Sequence, residues 1–354
     1  MSLRVALIGC GFIGRFHSTA IRAVASRGLL DVEYVAVCDE NVERARSFAE
    51  ITGGEVTTSA AEIIDSPDID AVYICVPTAY HKDLVLRAAA RGKHIFCEKP
   101  LATTLADVEE MVFAVEAAGV HAAVGLVLRH SPILTVLRDL MVDATLGRLM
   151  TVVFRDDQFF PISGQYASDW RKDASIAGAG TLLEHSIHDI DVLHWFAGPV
   201  RSVRGALGNF AGYEGVEDLV VSTVDFESGA LGSLTSIWHS IVGRPSTRLI
   251  EVFFEKGYFH VDHDYLGPIQ MQIHALNPET IPEDEVQRRY LSKVGLEGDA
   301  LEGVLRYSLE DYAFLKAVIE GRPPFPDFRV ALDAHRVVDA IYRSGAAGGQ
   351  TVAL

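Results

Sequence analysis

The chain has 354 residues, enough for two domains that each bury a core, and 49% hydrophobic against 22% charged residues is an ordinary globular balance. Its 31 basic and 48 acidic side chains leave a net charge of −17 with no basic cluster, which excludes nucleic acid as an expected partner. No apolar stretch reaches the ~18–20 uncharged residues of a membrane helix, so no membrane partner is expected either.

The first strand pattern, Val5–Ile8, begins without signal-peptide architecture. The four cysteines, Cys10, Cys38, Cys75 and Cys97, form no CxxC pair and read as buried free thiols, so a reducing cytoplasmic setting is expected. Further apolar runs at Tyr34–Cys38, Ala71–Val76, His94–Cys97 and His121–Gly125 alternate with amphipathic stretches such as Asn41–Glu50 and Lys82–Ala90. That alternation predicts an α/β domain, a doubly wound parallel sheet of Rossmann type, over residues 1–125. Thr104 followed by Asp107 predicts a capped helix start.

Residues 126–354 change texture and predict a second, α+β domain for substrate binding and oligomerisation. Strand patterns at Leu149–Phe154, Val200–Leu207, Leu219–Phe226, Leu231–Ser236, Leu249–Phe254, Tyr258–Val261 and Ile269–Ile273 are separated by hairpin-like turns such as Glu227-Ser228-Gly229. They predict a large, mostly antiparallel open sheet. The polar stretch Glu279–Asp299 reads as a surface excursion, and helices Tyr307–Glu320 and Arg329–Ser344 close the chain and pack back.

Gly9-Cys10-Gly11-Phe12-Ile13-Gly14 follows the first strand and opens a helix, the context in which GxGxxG holds a dinucleotide. Gly9 permits the tight turn, Gly11 admits the pyrophosphate, and Gly14 lets helix approach strand. The helix start then offers its N–H groups, Phe12 and Ile13 included, to phosphate. Asp39, 25 residues past Gly14 at the second strand's end, suits ribose hydroxyls and repels a 2′-phosphate, so NAD is expected over NADP. Arg44, on the next helix, is the nearest cation that could oppose that preference.

These residues, together with Val76–His81, Gly92–Pro100, Arg129–Pro132, Trp170-Arg171 and Gly178–His188, resemble the glucose–fructose oxidoreductase/inositol dehydrogenase/MocA dehydrogenases over nearly the whole chain. The run Asp189–Trp195 looks especially like the inositol dehydrogenase branch. The resemblance implies a Rossmann domain followed by a domain with a large open sheet, and a cis bond between Lys99 and Pro100. It places Thr78, His81, Glu98 and Lys99 beside the cofactor and implies an acid and a histidine four residues apart. This chain has Glu184 there, where the family usually has Asp, with His188.

The chemistry follows from those side chains. Oxidising a secondary alcohol needs a base, and imidazole titrates near neutrality, so His188 is the candidate. Lys99 offers a compact cation for a developing alkoxide, and Glu184, one turn from His188 if the segment is helical, would orient the imidazole or hold a hydroxyl. Asp157, Tyr166, Arg171 and Glu184 are the candidate substrate contacts. A metal site from Glu184, His185, His188 and Asp191 is not expected, because His185 leaves the shared helix face by about 100°. The leading expectation is an NAD-dependent oxidoreductase that moves hydride between a polyol, inositol or sugar-derived alcohol and nicotinamide, working as a homodimer or homotetramer. The alternatives are a glycoside hydrolase acting through transient oxidation, as in some relatives, and a non-catalytic NAD-binding regulator.

Overall fold

Aliphatic runs bounded by glycine and polar turns build the first sheet in the computed structural model, which describes residues 2–162, 167–241, 243–296 and 309–354. Its strands are β1 (Leu3–Ile8), β2 (Val32–Cys38), β3 (Glu55–Thr57), β4 (Ala71–Ile74), β5 (His94–Cys97) and β6 (Ala122–Val124). All pair in parallel in the order β3-β2-β1-β4-β5-β6, so every strand ends at the same edge of the sheet. Helices cover the sheet, and Ile8, Ile74, Ile95 and Val124 share one core with Val108, Met111 and Phe328. Thr104 caps helix Leu105–Ala118 by accepting from the Asp107 N–H at 3.2 Å, and Gly119 ends it in the left-handed region at φ 65°. Three-residue β3 lies at the sheet edge and has no apolar run to announce it.

The chain divides into two compact units, Met1–Leu126 with Gly298–Leu332, and Val127–Glu297 with Asp333–Leu354. In the second unit β7 (Leu149–Phe159), β8 (Val200–Gly208), β9 (Leu219–Phe226), β10 (Leu231–His239), β11 (Thr247–Phe254), β12 (Gly257–Val261), β13 (Ile269–Ile273), β14 (Glu279–Ile281) and β15 (Val352–Ala353) make one sheet. The order is β14-β13-β12-β11-β7-β10-β9-β8-β15, and only β7 and β10 run parallel. Helix Ile187–Ala197 packs on β7 and β10. The β7 pleat buries Val152, Phe154 and Asp156 on that side and turns Val153, Arg155 and Asp157 to the other.

Two sequence expectations change here. Glu279–Val294 is not a surface excursion: it forms β14 and helix Glu283–Val294, which buries Val286 and Tyr290, and the Tyr290 hydroxyl donates to the His130 carbonyl at 2.9 Å. Two anchors in twelve residues are too few to mark an apolar stripe against so polar a background. The first closing helix, expected over Tyr307–Glu320, is Glu310–Ile319, and Tyr307 lies outside the described residues.

Candidate active site

In the first unit the glycine turn is a steric requirement. A Cβ on Gly9, where φ is 105°, would meet the Cys75 carbonyl oxygen at 2.4 Å, and one on Gly14 would meet the Gly9 oxygen at 2.3 Å. A Cβ on Gly11 meets nothing within 4 Å, so this is the face open to a ligand. Gly11 caps helix Phe12–Ser26 without a side-chain hydrogen bond, so the positive end of the helix, at Phe12 and Ile13, opens beside the turn and suits an anion. Asp39 is buried and accepts from the Cys10 N–H at 3.0 Å and the Asn41 N–H at 2.9 Å, while Arg44 approaches it at 3.4 Å. The carboxylate thus braces the turn and sits at the end of β2. Cradle, helix start and carboxylate fit a dinucleotide.

The end of β5 carries the other half of that unit's chemistry. Gly9, Asp39, Thr78 and Lys99 all follow strands at one edge, and the Lys99–Pro100 bond is cis. Buried Thr78 opens a short turn after β4. His81 faces the Pro100 carbonyl oxygen with Nδ1 at 2.9 Å and the Val76 carbonyl oxygen with Nε2 at 2.8 Å. It therefore ties the β4 turn to the Lys99-Pro100 turn. Glu98 is also buried: Oε2 accepts the Lys99 N–H at 3.0 Å and Oε1 faces His17 Nε2 at 2.8 Å.

His17 and its second partner, Asp311, have no signal in the turn motif beyond a histidine three residues after Gly14. Burial alone would lower the imidazole, but Asp311 and Glu98 outweigh it and hold His17 well above its usual value. Burial likewise works against the Glu98 carboxylate, yet the hydrogen bond and charge of His17, with Lys99 nearby, keep it below the usual range. Among the described residues His17, Glu310 and Asp311 come close enough to share a cation, but both His17 nitrogens already face carboxylates.

In the second unit the segment after Gly178-Ala179-Gly180 is not one helix. Thr181–Glu184 and Ile187–Ala197 are separate, with a break at His185-Ser186, so Glu184 and His188 are not related by a continuous turn. Ser236 Oγ links the two pieces by bonding the Thr181 hydroxyl at 2.7 Å and the Ser186 hydroxyl at 2.6 Å. Glu217 accepts the Gly180 and Leu182 N–H groups at 2.8 and 2.9 Å, a side-chain anchor for the helix start.

Glu184 and His188 are both buried, and Arg171 Nε lies 3.4 Å from Glu184 Oε2, so two of the expected substrate contacts meet. Asp157 does not join them. It pairs with Arg244 on the sheet face opposite Asp156, and Tyr166 lies outside the described residues. Asp156 is the strand-end acid on the side of His185, 2.6 Å from its Nε2. Arg248, buried beside it, donates to Asp189 at 2.9 Å and to Asp156 at 3.2 Å. Burial, then the Asp156 charge, push the Asp189 carboxyl up to about 7. Asp191 instead receives Arg129 through two bonds of 2.6 and 2.7 Å.

Comparison with known proteins agrees with both units. Residues 3–126 match the model of an oxidoreductase family with an NAD-binding Rossmann fold, and residues 134–260 match the GFO/IDH/MocA C-terminal domain. A 1,5-anhydro-D-fructose reductase of Ensifer adhaerens is 34% identical over 64% of this chain and 67% of its own. A levoglucosan dehydrogenase of Pseudarthrobacter phenanthrenivorans is 28% identical over 98% of this chain and 96% of its own. A solved structure of levoglucosan dehydrogenase with NADH and levoglucosan superposes with a TM-score of 0.86 at 25% identity, covering 100% of this chain and 99% of that one. The chain belongs to the GFO/IDH/MocA family of oxidoreductases, whose N-terminal domain is an NAD-binding Rossmann fold.

Proposed function

We propose that this protein is an NAD-dependent dehydrogenase that oxidises a secondary hydroxyl of a polyol, inositol or sugar, or reduces the matching ketone. The observation that carries the reading is the common edge of the parallel sheet, where the glycine turn after β1, Asp39 after β2 and the Glu98-Lys99-cis-Pro100 turn after β5 all emerge. The names of the relatives, a levoglucosan dehydrogenase and an anhydrofructose reductase, support a carbohydrate substrate. When bound, NAD supplies the hydride acceptor. His188 takes the hydroxyl proton, the Lys99 ammonium steadies the developing alkoxide, and Glu184, held by Arg171, orients the imidazole or a neighbouring hydroxyl. Asp39 and the absence of a cation at Glu40 and Asn41 favour NAD over NADP.

Initial rates with a panel of polyols, inositols and aldoses, run with NAD and NADP in parallel, test this. Reduction of NAD by at least one of them is expected, with a lower kcat/KM for NADP; no turnover across the panel would overturn the reading. The four buried free cysteines support a reducing, cytoplasmic setting. The half-exposed apolar residues on the open face of the nine-stranded sheet, Val221, Leu231 and Phe253, support a homodimer or homotetramer that covers it.

A further inference from the structure

We infer that His17 is a positioning residue for Lys99, clamping the Glu98 carboxylate that holds the Lys99 backbone. The inference rests on the role given to Lys99 above. His17 lies one turn beyond Gly14 on helix Phe12–Ser26 and is 1% exposed. Its two ring nitrogens each face a carboxylate oxygen at 2.8 Å, Glu98 Oε1 and Asp311 Oδ1. Where both acids are carboxylates each oxygen only accepts, so both nitrogens donate and the ring is an imidazolium, the form these two acids favour even though burial pushes the Asp311 carboxyl up.

Tyr73 and Phe96 flank the ring at 5.6 and 4.8 Å between centroids, and Glu310 is the further acid within reach. The clamp is therefore walled by aromatic side chains, where charge-assisted bonds are strong. Gly125 lies against the carboxylate, where a Cβ would meet Oε1 at 2.8 Å and Oε2 at 2.9 Å. Held on these sides, Glu98 has one remaining task, accepting the Lys99 N–H at 3.0 Å. The helix that opens at the phosphate turn thus also sets the backbone from which the Lys99 side chain projects, and neither the dinucleotide cradle nor the proton chemistry uses His17 in any other way.

The test exploits the shapes of two amides: a glutamine amide nitrogen falls near the place of imidazole Nε2, an asparagine amide nitrogen near that of Nδ1. H17Q keeps the donor to Glu98 and loses the one to Asp311; H17N does the reverse, and both remove the same buried ring. Expected for H17N is a fall in kcat of about 100-fold with NAD affinity within about threefold of the parent, whereas H17Q stays within about fivefold in kcat. Hydrogen exchange of the peptide containing the Lys99 amide is expected to quicken in H17N and not in H17Q.

Equal loss of kcat in the two variants, in step with their thermal stability, would make His17 a merely structural residue and overturn the inference; so would unchanged exchange in H17N. If the parent enzyme turns over nothing in the panel, the proposed function fails and the exchange comparison alone decides the role of His17. If H17N does not fold, E98Q replaces an accepting oxygen with a donor and is expected to lose kcat and Lys99 protection in the same way. Full activity and protection in E98Q would overturn the clamp.

Discussion

Lys99 projects from a turn braced twice through backbone groups, by Glu98 on its own N–H and by His81 on the Pro100 carbonyl. Its ammonium can therefore be removed without dismantling the dinucleotide cradle. Lys99→Ala is expected to lower kcat by about 10²–10³-fold, the scale of a lost charge-stabilising donor, with NAD binding retained by titration. Asp189 makes a different prediction. Its carboxyl titrates at about 7 in the fold, against ~3.9 in an unfolded chain. The native state keeps a proton that the unfolded chain has already released, so this contribution is complete at acid pH and is lost as pH rises through about 7. The unfolding free energy from urea titrations should fall from pH 5 to pH 7 with a slope of up to about 1.4 kcal/mol per pH unit from this group, and Asp189→Asn should flatten that slope. An identical slope in the variant would show that another group is responsible.

Among the elements, the turn at Gly180 that opens helix Thr181–Glu184 has the sharpest steric basis. A Cβ on Gly180 would lie 1.8 Å from the Glu217 carbonyl oxygen, a backbone atom that cannot step aside. Gly180→Ala should therefore cost about 3 kcal/mol or more of stability, read by denaturant unfolding, and lower turnover through Glu184 and His188. Gly11→Ala meets no protein atom, so it should fold normally yet weaken NAD binding, which calorimetry would measure. The Gly-Ala-Gly turn was readable as a turn from sequence. That Thr181–His188 is two helices rather than one was not, because the hydroxyl that links the two pieces, Ser236, comes from a strand about fifty residues away. Helix periodicity reports a segment's own preference and carries nothing about a distant hydroxyl.

For the whole molecule, the open face of the second sheet bears Val221, Leu231 and Phe253 at 48%, 54% and 36% exposure. Placing carboxylates there, V221E with L231E, should lower the assembly state seen by light scattering and leave the melting of the subunit little changed; an unchanged mass would remove this face as the interface. What the amino-acid sequence determined by itself was the parallel and open sheets, the dinucleotide turn and the lysine at a strand end. Each of these is written in short-range periodicity, glycine placement and turn chemistry. Tertiary structure alone decided that His17 bridges Glu98 and Asp311, partners 81 and 294 residues away, and that Arg248 joins Asp156 to Asp189. It also decided that Asp156, not Asp157, turns toward His185, since strand register assigns the faces. Such pairings are made only when the chain closes on itself and a buried charge must find its partner there, because burying it alone costs more than the fold could bear.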